Sequence, residues 1–203
     1  MRNLNLIRVS LLLAFQAVAQ NGVRIGEPTF AGDGCNRRTA TASITEDGQT
    51  LSILFDKYIV EVGGNLRQRQ DRKSCNVNIP VMVPSGYSVA VMKIDYRGFN
   101  SLPAGAQSQF NVSYFFHGRI GPKYIQNFQG PLESDFITNN SVQSPDVVWS
   151  VCGRQFDLRA HSSMKTTTNQ QREQAISTVD SADVQAGLVY QLQWKRCTRD
   201  RER

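Results

Sequence analysis

Short runs in which apolar and polar positions alternate, separated by Gly, Pro, Asn and Asp, recur along most of the chain. A period of two is the signature of strands with one buried face. Residues 39–44 are small and β-branched, Asp47-Gly48 is a tight-turn pair, and residues 51–55 resume the apolar pattern, which predicts a hairpin. A second pair is predicted from residues 76–83, the turn Pro84-Ser85-Gly86 and residues 87–96. In the latter run Ala90, Met92, Ile94 and Tyr96 share one face. Val89, Val91, Lys93 and Asp95 share the other, which turns polar along the strand, so this strand is expected to leave the core towards a rim. Further strands are predicted at 107–116, 147–151, 156–166, 175–180 and 188–195, and a turn at 166–172. Residues 118–144, rich in Gly, Pro, Asn and Ser, read as one long loop or two short ones. Many short strands at turn spacings of roughly 8 to 12 residues define an all-β chain, and an antiparallel β-sandwich is the expected architecture.

The first 19 residues follow a different pattern. Arg2 and Arg8 precede an apolar run over residues 9–15, and Ala17-Val18-Ala19 follows it, the build of a secretory leader. The expectation is a signal peptide over 1–19 and a secreted, extracellular chain over 20–203, one domain with a short basic C-terminal tail. No later segment holds the roughly 20 consecutive apolar residues a membrane helix needs, so no membrane span is expected. In an oxidising compartment Cys35, Cys75, Cys152 and Cys197 read as two structural disulfides rather than metal ligands or nucleophiles. Three pairings are open to four cysteines. Cys35–Cys75 with Cys152–Cys197 is favoured because each bond closes a loop within one half of the chain. Loops of about 40 residues contribute on the order of 3 to 4 kcal/mol each in the chain-entropy picture.

A set of local sequences runs in a familiar order: Phe55-Asp56-Lys57-Tyr58, Arg72-Lys73-Ser74-Cys75, Asp95-Tyr96-Arg97-Gly98, Gly130-Pro131, Val148-Trp149-Ser150-Val151-Cys152-Gly153, Asp180-Ser181-Ala182-Asp183, and Tyr190 through Cys197. Through these the chain resembles the family called domain of unknown function 4360, from about Gly26 to Cys197. The resemblance implies secretion and a single-domain architecture, and implies no particular activity. Two positions depart from the family's pattern, Asn36 after the first cysteine and Val151 before the third, where proline is usual. Each loosens a local turn without deleting a reactive group.

Charge narrows the partners. The chain carries 23 basic and 17 acidic residues, net +6, and loss of Arg2 and Arg8 with the leader leaves +4. Such an excess suits an anionic surface, for example an acidic polysaccharide or another cell-surface component. A Cys35–Cys75 bond would bring Arg37 and Arg38 towards Arg72 and Lys73, with Arg67 and Arg69 close by, as a patch for an anionic ligand. Arg154, Lys195 and Arg196 would gather around Cys152–Cys197 in the same way. No nucleic-acid reading motif is present, and nucleic acid is not an expected partner.

Catalytic signals are weak. The chain has two histidines, His117 and His161, and no Gly-x-Ser-x-Gly elbow, and His161 reads as an ordinary surface or hydrogen-bonded residue of a strand. Glu133, Asp135 and above all Asp95, Asp180 and Asp183 could supply the acid and base of a glycoside hydrolase, although turn-organising roles explain them as well. Asp180, Ser181 and Asp183 lack the twelve-residue calcium loop, and zinc-ligand spacing and phosphate-cradling glycines are absent. No metal and no cofactor are expected. Tyr114 and Phe116 fall on one face of a strand and Phe115 on the other, while Trp149 and Trp194 each stand three residues before a cysteine, a spacing suited to packing on a disulfide. Asn111 and Asn139 head glycan-acceptor sequences. The resulting expectation is a secreted, non-catalytic module that contacts wall, matrix or host-surface components, with an extracellular carbohydrate hydrolase as the alternative. The sequence does not set its oligomeric state.

Overall fold

The structure is a computed structural model that describes residues 24–44, 50–116, 119–141, 149–179 and 188–197. It is an antiparallel β-sandwich. One sheet has six strands: β1 (Arg24–Ile25), β2 (Thr29–Ala31), β6 (Gln70–Met82), β8 (Gln107–Phe116), β9 (Arg119–Gln129) and β11 (Phe156–Thr167). Their order is β1-β6-β11-β8-β9, with β2 also paired to β6. The other sheet has seven: β3 (Ala40–Ile44), β4 (Thr50–Phe55), β5 (Ile59–Val62), β7 (Tyr87–Leu102), β10 (Leu132–Ser141), β12 (Ala175–Thr178) and β13 (Leu188–Arg196). It is ordered β3-β4-β13-β7-β12-β5, with β10 also paired to β7.

Alternation drives the closure. Val77, Ile79 and Val81 of β6, Leu158, Ala160 and Met164 of β11, and Phe110, Val112 and Tyr114 of β8 are all buried on one face of their sheet. Ile53, Phe55, Val60, Val62, Tyr96 and Phe136 are buried from the other sheet into the same cluster. Rings interlock between the layers: Tyr96 meets Phe110 edge-on with centroids 5.0 Å apart, and Phe128 lies 4.7 Å from Phe136. Aromatic pairs of this kind contribute about 0.5 to 1.5 kcal/mol beyond the area they bury.

The predicted hairpin is present, with Ala40 opposite Phe55 and Ile44 opposite Leu51, while its turn, residues 45–49, lies outside the described residues. The predicted strand at 107–116 is β8, and those at 156–166, 175–180 and 188–195 correspond to β11, β12 and β13. The turn expected at 166–172 is closed by the Arg172 amide donating to the Asn169 carbonyl at 3.2 Å.

Four expectations are corrected. Residues 76–83 and 87–96 form no hairpin, because β6 and β7 belong to different sheets and the Pro84-Ser85-Gly86 turn carries the chain across the sandwich. The strand β7 does not leave the core, since Val89 and Tyr96 are both buried although their parity differs. A bulge resolves this: Lys93 pairs with Gln191 but Val91 pairs with Leu192, and the extra residue, Met92, switches the face that points inward. The described part of 118–144 is no loop, since β9 and β10 occupy most of it, and Asn139 stands in β10 opposite Asp95. Of the strand expected at 147–151, residues 147–148 lie outside the described residues and 149–151 are not a strand; the Ser150 amide donates to the Val89 carbonyl and the Ser150 hydroxyl accepts from the Val89 amide, laying this segment against the start of β7.

Both disulfides tie elements that the sheets alone leave apart. Cys35, in the connection between β2 and β3, is bonded to Cys75 in β6, and Cys152 is bonded to Cys197 just beyond β13, with Cα separations of 5.2 and 6.1 Å. Beside the first bond Tyr58 fills the core with no exposed surface, its hydroxyl 3.2 Å from the Ser162 hydroxyl and its ring edge-on to Phe55.

Gly98 shows how tightly the layers meet. It pairs with Phe136 across β7 and β10, and a Cβ there would collide with the Thr178 carbonyl oxygen and lie 2.6 Å from the Phe136 ring. Gly98→Ala should therefore destabilise the fold by about 1 to 3 kcal/mol through overpacking. A urea midpoint equal to that of the parent chain would refute this packing.

Candidate functional site

Burying one side of β6, β11 and β8 commits the intervening residues to the outside. The cross-strand register arranges them in rows: Asn78, Arg159 and Phe115; then Asn76, His161, Ser113 and Lys123; then Arg72, Lys165, Gln109 and Asn127; and finally Gln70, Thr167, Gln107 and Gln129. Carboxamides, hydroxyls and cations thus dominate the outer face of the six-stranded sheet, which Asp157, the Phe115 ring, Ile120 and Ile125 share.

The amides bond one another. Gln109 Nε2 donates to Asn127 Oδ1 at 2.8 Å, and Asn111 Nδ2 donates to Gln109 Oε1 at 3.0 Å. Gln109 and Asn127, with Lys165, Thr167, Gln107 and Gln129, line a recess of about 340 Å³. Further along the face Arg159 Nε donates to Asn78 Oδ1 at 3.1 Å, and its Nη2 lies 3.8 Å from Asp157 Oδ2. His161 Nδ1 lies 2.7 Å from Asn76 Oδ1. Arg159, Asp157, His161, Asn76 and Phe115 line a second recess of about 520 Å³.

Electrostatics separate the charged groups. Partial burial, with repulsion from Arg72, lowers the His161 pKa below its usual value. Partial burial would raise the Asp33 pKa, but bonds from the Ser74 amide and hydroxyl, its own backbone amide and the field of Lys73 outweigh it and hold the carboxyl below the usual range. The Ser74 amide donates to Asp33 Oδ1 at 2.6 Å and the hydroxyl at 3.0 Å, fastening the β2–β3 connection to β6 one residue before its disulfide. Burial pushes the Tyr58 phenol far above its usual range.

The six residues of the expected basic patch take different positions. Arg72 stands on the outer face opposite Lys165. Lys73, of the other parity, pairs with Asp71 at 3.9 Å. Arg37 and Arg38 are exposed on the turn after Cys35, and Arg37 lines a separate recess with Glu27 and Phe30. Arg67 and Arg69 are exposed in the β5–β6 connection, where Arg69 Nη2 donates to the Gln170 carbonyl at 3.2 Å. Around the second disulfide Arg154, Lys195 and Arg196 are exposed, and Lys195 Nζ lies 4.0 Å from the centre of the Trp149 ring. Asp95 sits in β7 between Val189 and Asn139, while Asp180 and Asp183 lie outside the described residues. Asn111 is half-buried on the outer face. Among the described residues no group of three or more His, Cys, Asp or Glu side chains is placed to hold a metal ion. No described helix is long and apolar enough to cross a membrane.

Sequence reasoning did not single out Arg159, Lys165, Gln107, Gln109 or Asn127 for this surface. One signal was available, in that Asp157, Arg159, His161 and Lys165 alternate with Leu158, Ala160 and Met164 along β11. The neighbours that complete the face come from strands some 50 and 90 residues earlier in the chain, which alternation cannot assign.

A disulfide-tied antiparallel sandwich with a polar, cationic outer sheet is therefore the class of molecule in hand. The chain belongs to the family described as domain of unknown function (DUF4360), which it matches over residues 21–197. It is 28% identical over 177 residues to an "uncharacterized secreted protein" of Arthroderma benhamiae, covering 87% of this chain and 72% of that one. The two disulfides are consistent with the same compartment. Among solved structures it is similar to TmCBM61 in complex with β-1,4-galactotriose, with a TM-score of 0.31 and 10% identity, covering 85% of this chain and 90% of that one. A likeness at that score is too slight to speak for a ligand.

Stability should fall on acidification in two steps. For His161 the folded pKa lies below the ordinary 6.5, so the unfolded chain takes up the proton first and stability declines as pH falls from that value through the folded one. For Asp33 the folded pKa lies below 3.8, so its contribution is complete above that value and is lost as pH falls through the folded one. In urea melts against pH, His161→Gln should flatten the upper step and Asp33→Asn the lower. Unaltered slopes would contradict the assignment.

Proposed function

We propose that the chain loses residues 1–19 on export and acts as a secreted, non-catalytic binding module. In this reading it holds acidic polysaccharide of a wall, matrix or host surface against the outer face of its six-stranded sheet. The observation that carries the reading is the register of Arg72 against Lys165. Both side chains are exposed, and among the described residues neither makes an ion pair. Like charges directly opposite on a sheet face destabilise it. A polyanion laid across the two would relieve that repulsion, and the neighbouring carboxamides offer donors and acceptors suited to sugar hydroxyls. Arg37, Arg38, Arg67, Arg69 and Lys73, near the same end of β6 through sequence or through the disulfide, widen the positive field that draws such a chain in.

The test is retention on immobilised polygalacturonate. Replacing both cations, Arg72→Gln with Lys165→Gln, should lower the salt needed for elution while leaving the fold as stable as before or slightly more so, since a repulsive pair has been removed. Retention by the double variant that equals the parent's and ignores salt would overturn the proposal.

A further inference from the structure

Resting on the reading of this face as saccharide-binding, the geometry points to a distinct subsite: we infer that the recess lined by Phe115, His161, Arg159, Asn76 and Asp157 takes a single pyranose ring, stacked on Phe115 and held through its hydroxyls. Its volume of about 520 Å³ falls in the range of small-ligand pockets. Phe115 is half-buried on the outer side of β8, beside Ile120, which is 79% exposed, so an apolar platform is open to solvent. The apolar face of a sugar ring has a natural counterpart in an aromatic ring.

The polar groups around that platform are held in place and of mixed character. Arg159 is oriented by Asn78 and Asp157, which leaves other N–H groups of its planar fork to donate. Asp157 contributes acceptors. A neutral imidazole whose Nδ1–H donates to the Asn76 carboxamide oxygen keeps Nε2 as an acceptor, and the lowered His161 pKa favours that neutral form. The Asn76 amide nitrogen adds donors. Hydroxyl groups both donate and accept, so a mixed set fits them, whereas the Arg72–Lys165 row offers positive charge. The two sites lie on one strand: His161 and Lys165 are four residues apart in β11, about 13 Å at strand rise. An oligosaccharide running along β11 reaches both, with the recess reading ring identity and the cations supplying attraction.

The two sites separate by salt. Amide-detected NMR titrations of the exported chain with methyl galactoside, methyl glucoside, methyl mannoside and methyl galacturonoside, in about 0.5 M salt to screen long-range charge, should show one of them moving resonances of residues 76–78, 113–115 and 157–161. Saturation is expected in the millimolar range. Phe115→Ala should weaken that binding tenfold or more and Phe115→Trp should retain it. Should Phe115→Ala fail to fold, Asp157→Asn and Arg159→Gln on the exposed rim serve in its place, with the same loss expected. No shift with any of the four glycosides, or equal shifts in the Phe115 or rim variants, would overturn the subsite. Loss of polygalacturonate retention in the double variant would still stand in that event, so the failure of one reading is distinguishable from the failure of the other.

Discussion

Everything on the outer surface of this protein depends on one constraint, the two-residue period of three neighbouring strands pressed against a second sheet. Val77, Ile79 and Val81 must face the core, as must Leu158 and Ala160, so Asn76, Asn78, Arg159 and His161 have nowhere to point but outward. A slip of one residue between β6 and β11 would bury Arg159 and His161 and expose Leu158. The cost of burying an unpaired guanidinium is far larger than that of any surface contact, so the register is fixed by the core and the site inherits it. The outer rows are consequences of hydrophobic burial on the other face.

The anchoring at one end of the sandwich acts on the same register. Cys75 holds the β2–β3 connection through Cys35, Asp33 grips the Ser74 backbone and hydroxyl, and Tyr58 reaches across the core to Ser162 of β11. Three chemically different ties, a covalent bond, a charged acceptor and a buried phenol, converge within two residues of Cys75 or on its partner in β11, since Ser162 is the register partner of Cys75. That fixes β6 relative to β11 from the middle of the pair. Arg72 and Lys165 lie three residues beyond this clamp on one side, while the Asn76–His161 row lies one residue beyond it on the other.

Central strands were legible in the sequence because both the period and the burial are written into them. Residues 107–116 and 156–166 alternate cleanly, and β8 and β11 sit between two partners. The edges were not legible. The strand β9, RIGPKYIQNFQ, contains Gly121 and Pro122 and runs along one edge of its sheet, where a missing amide donor costs no ladder bond. In β10, of the side chains described, Phe136 is the one that is buried, so a strand made by pairing with β7 reads as polar loop. The bulge at Met92 defeats alternation for another reason, since one unpaired residue inverts every face assignment after it. The recess around Phe115 was half visible: the outward turn of that ring follows from parity, but its companions Asn76 and His161 are 85 residues apart and meet only through pairing.

The acids near the outer face explain why, among the described residues, Arg72 and Lys165 make no ion pair. Asp71 Oδ1 accepts from the Arg72 backbone amide at 2.8 Å, and its other oxygen lies 3.9 Å from Lys73. Asp157 is turned to Arg159, and Asp33 to Ser74. Each carboxylate is engaged by a partner on its own strand or on a neighbouring one, so none of the three bridges Arg72 and Lys165. A fold selected for stability alone would place a carboxylate or a neutral residue at one of those two positions, because opposite charges across strands stabilise by a few tenths of a kcal/mol to about 1 kcal/mol and like charges do the reverse. The cost is small enough for the core to absorb, and a bound polyanion would reverse its sign.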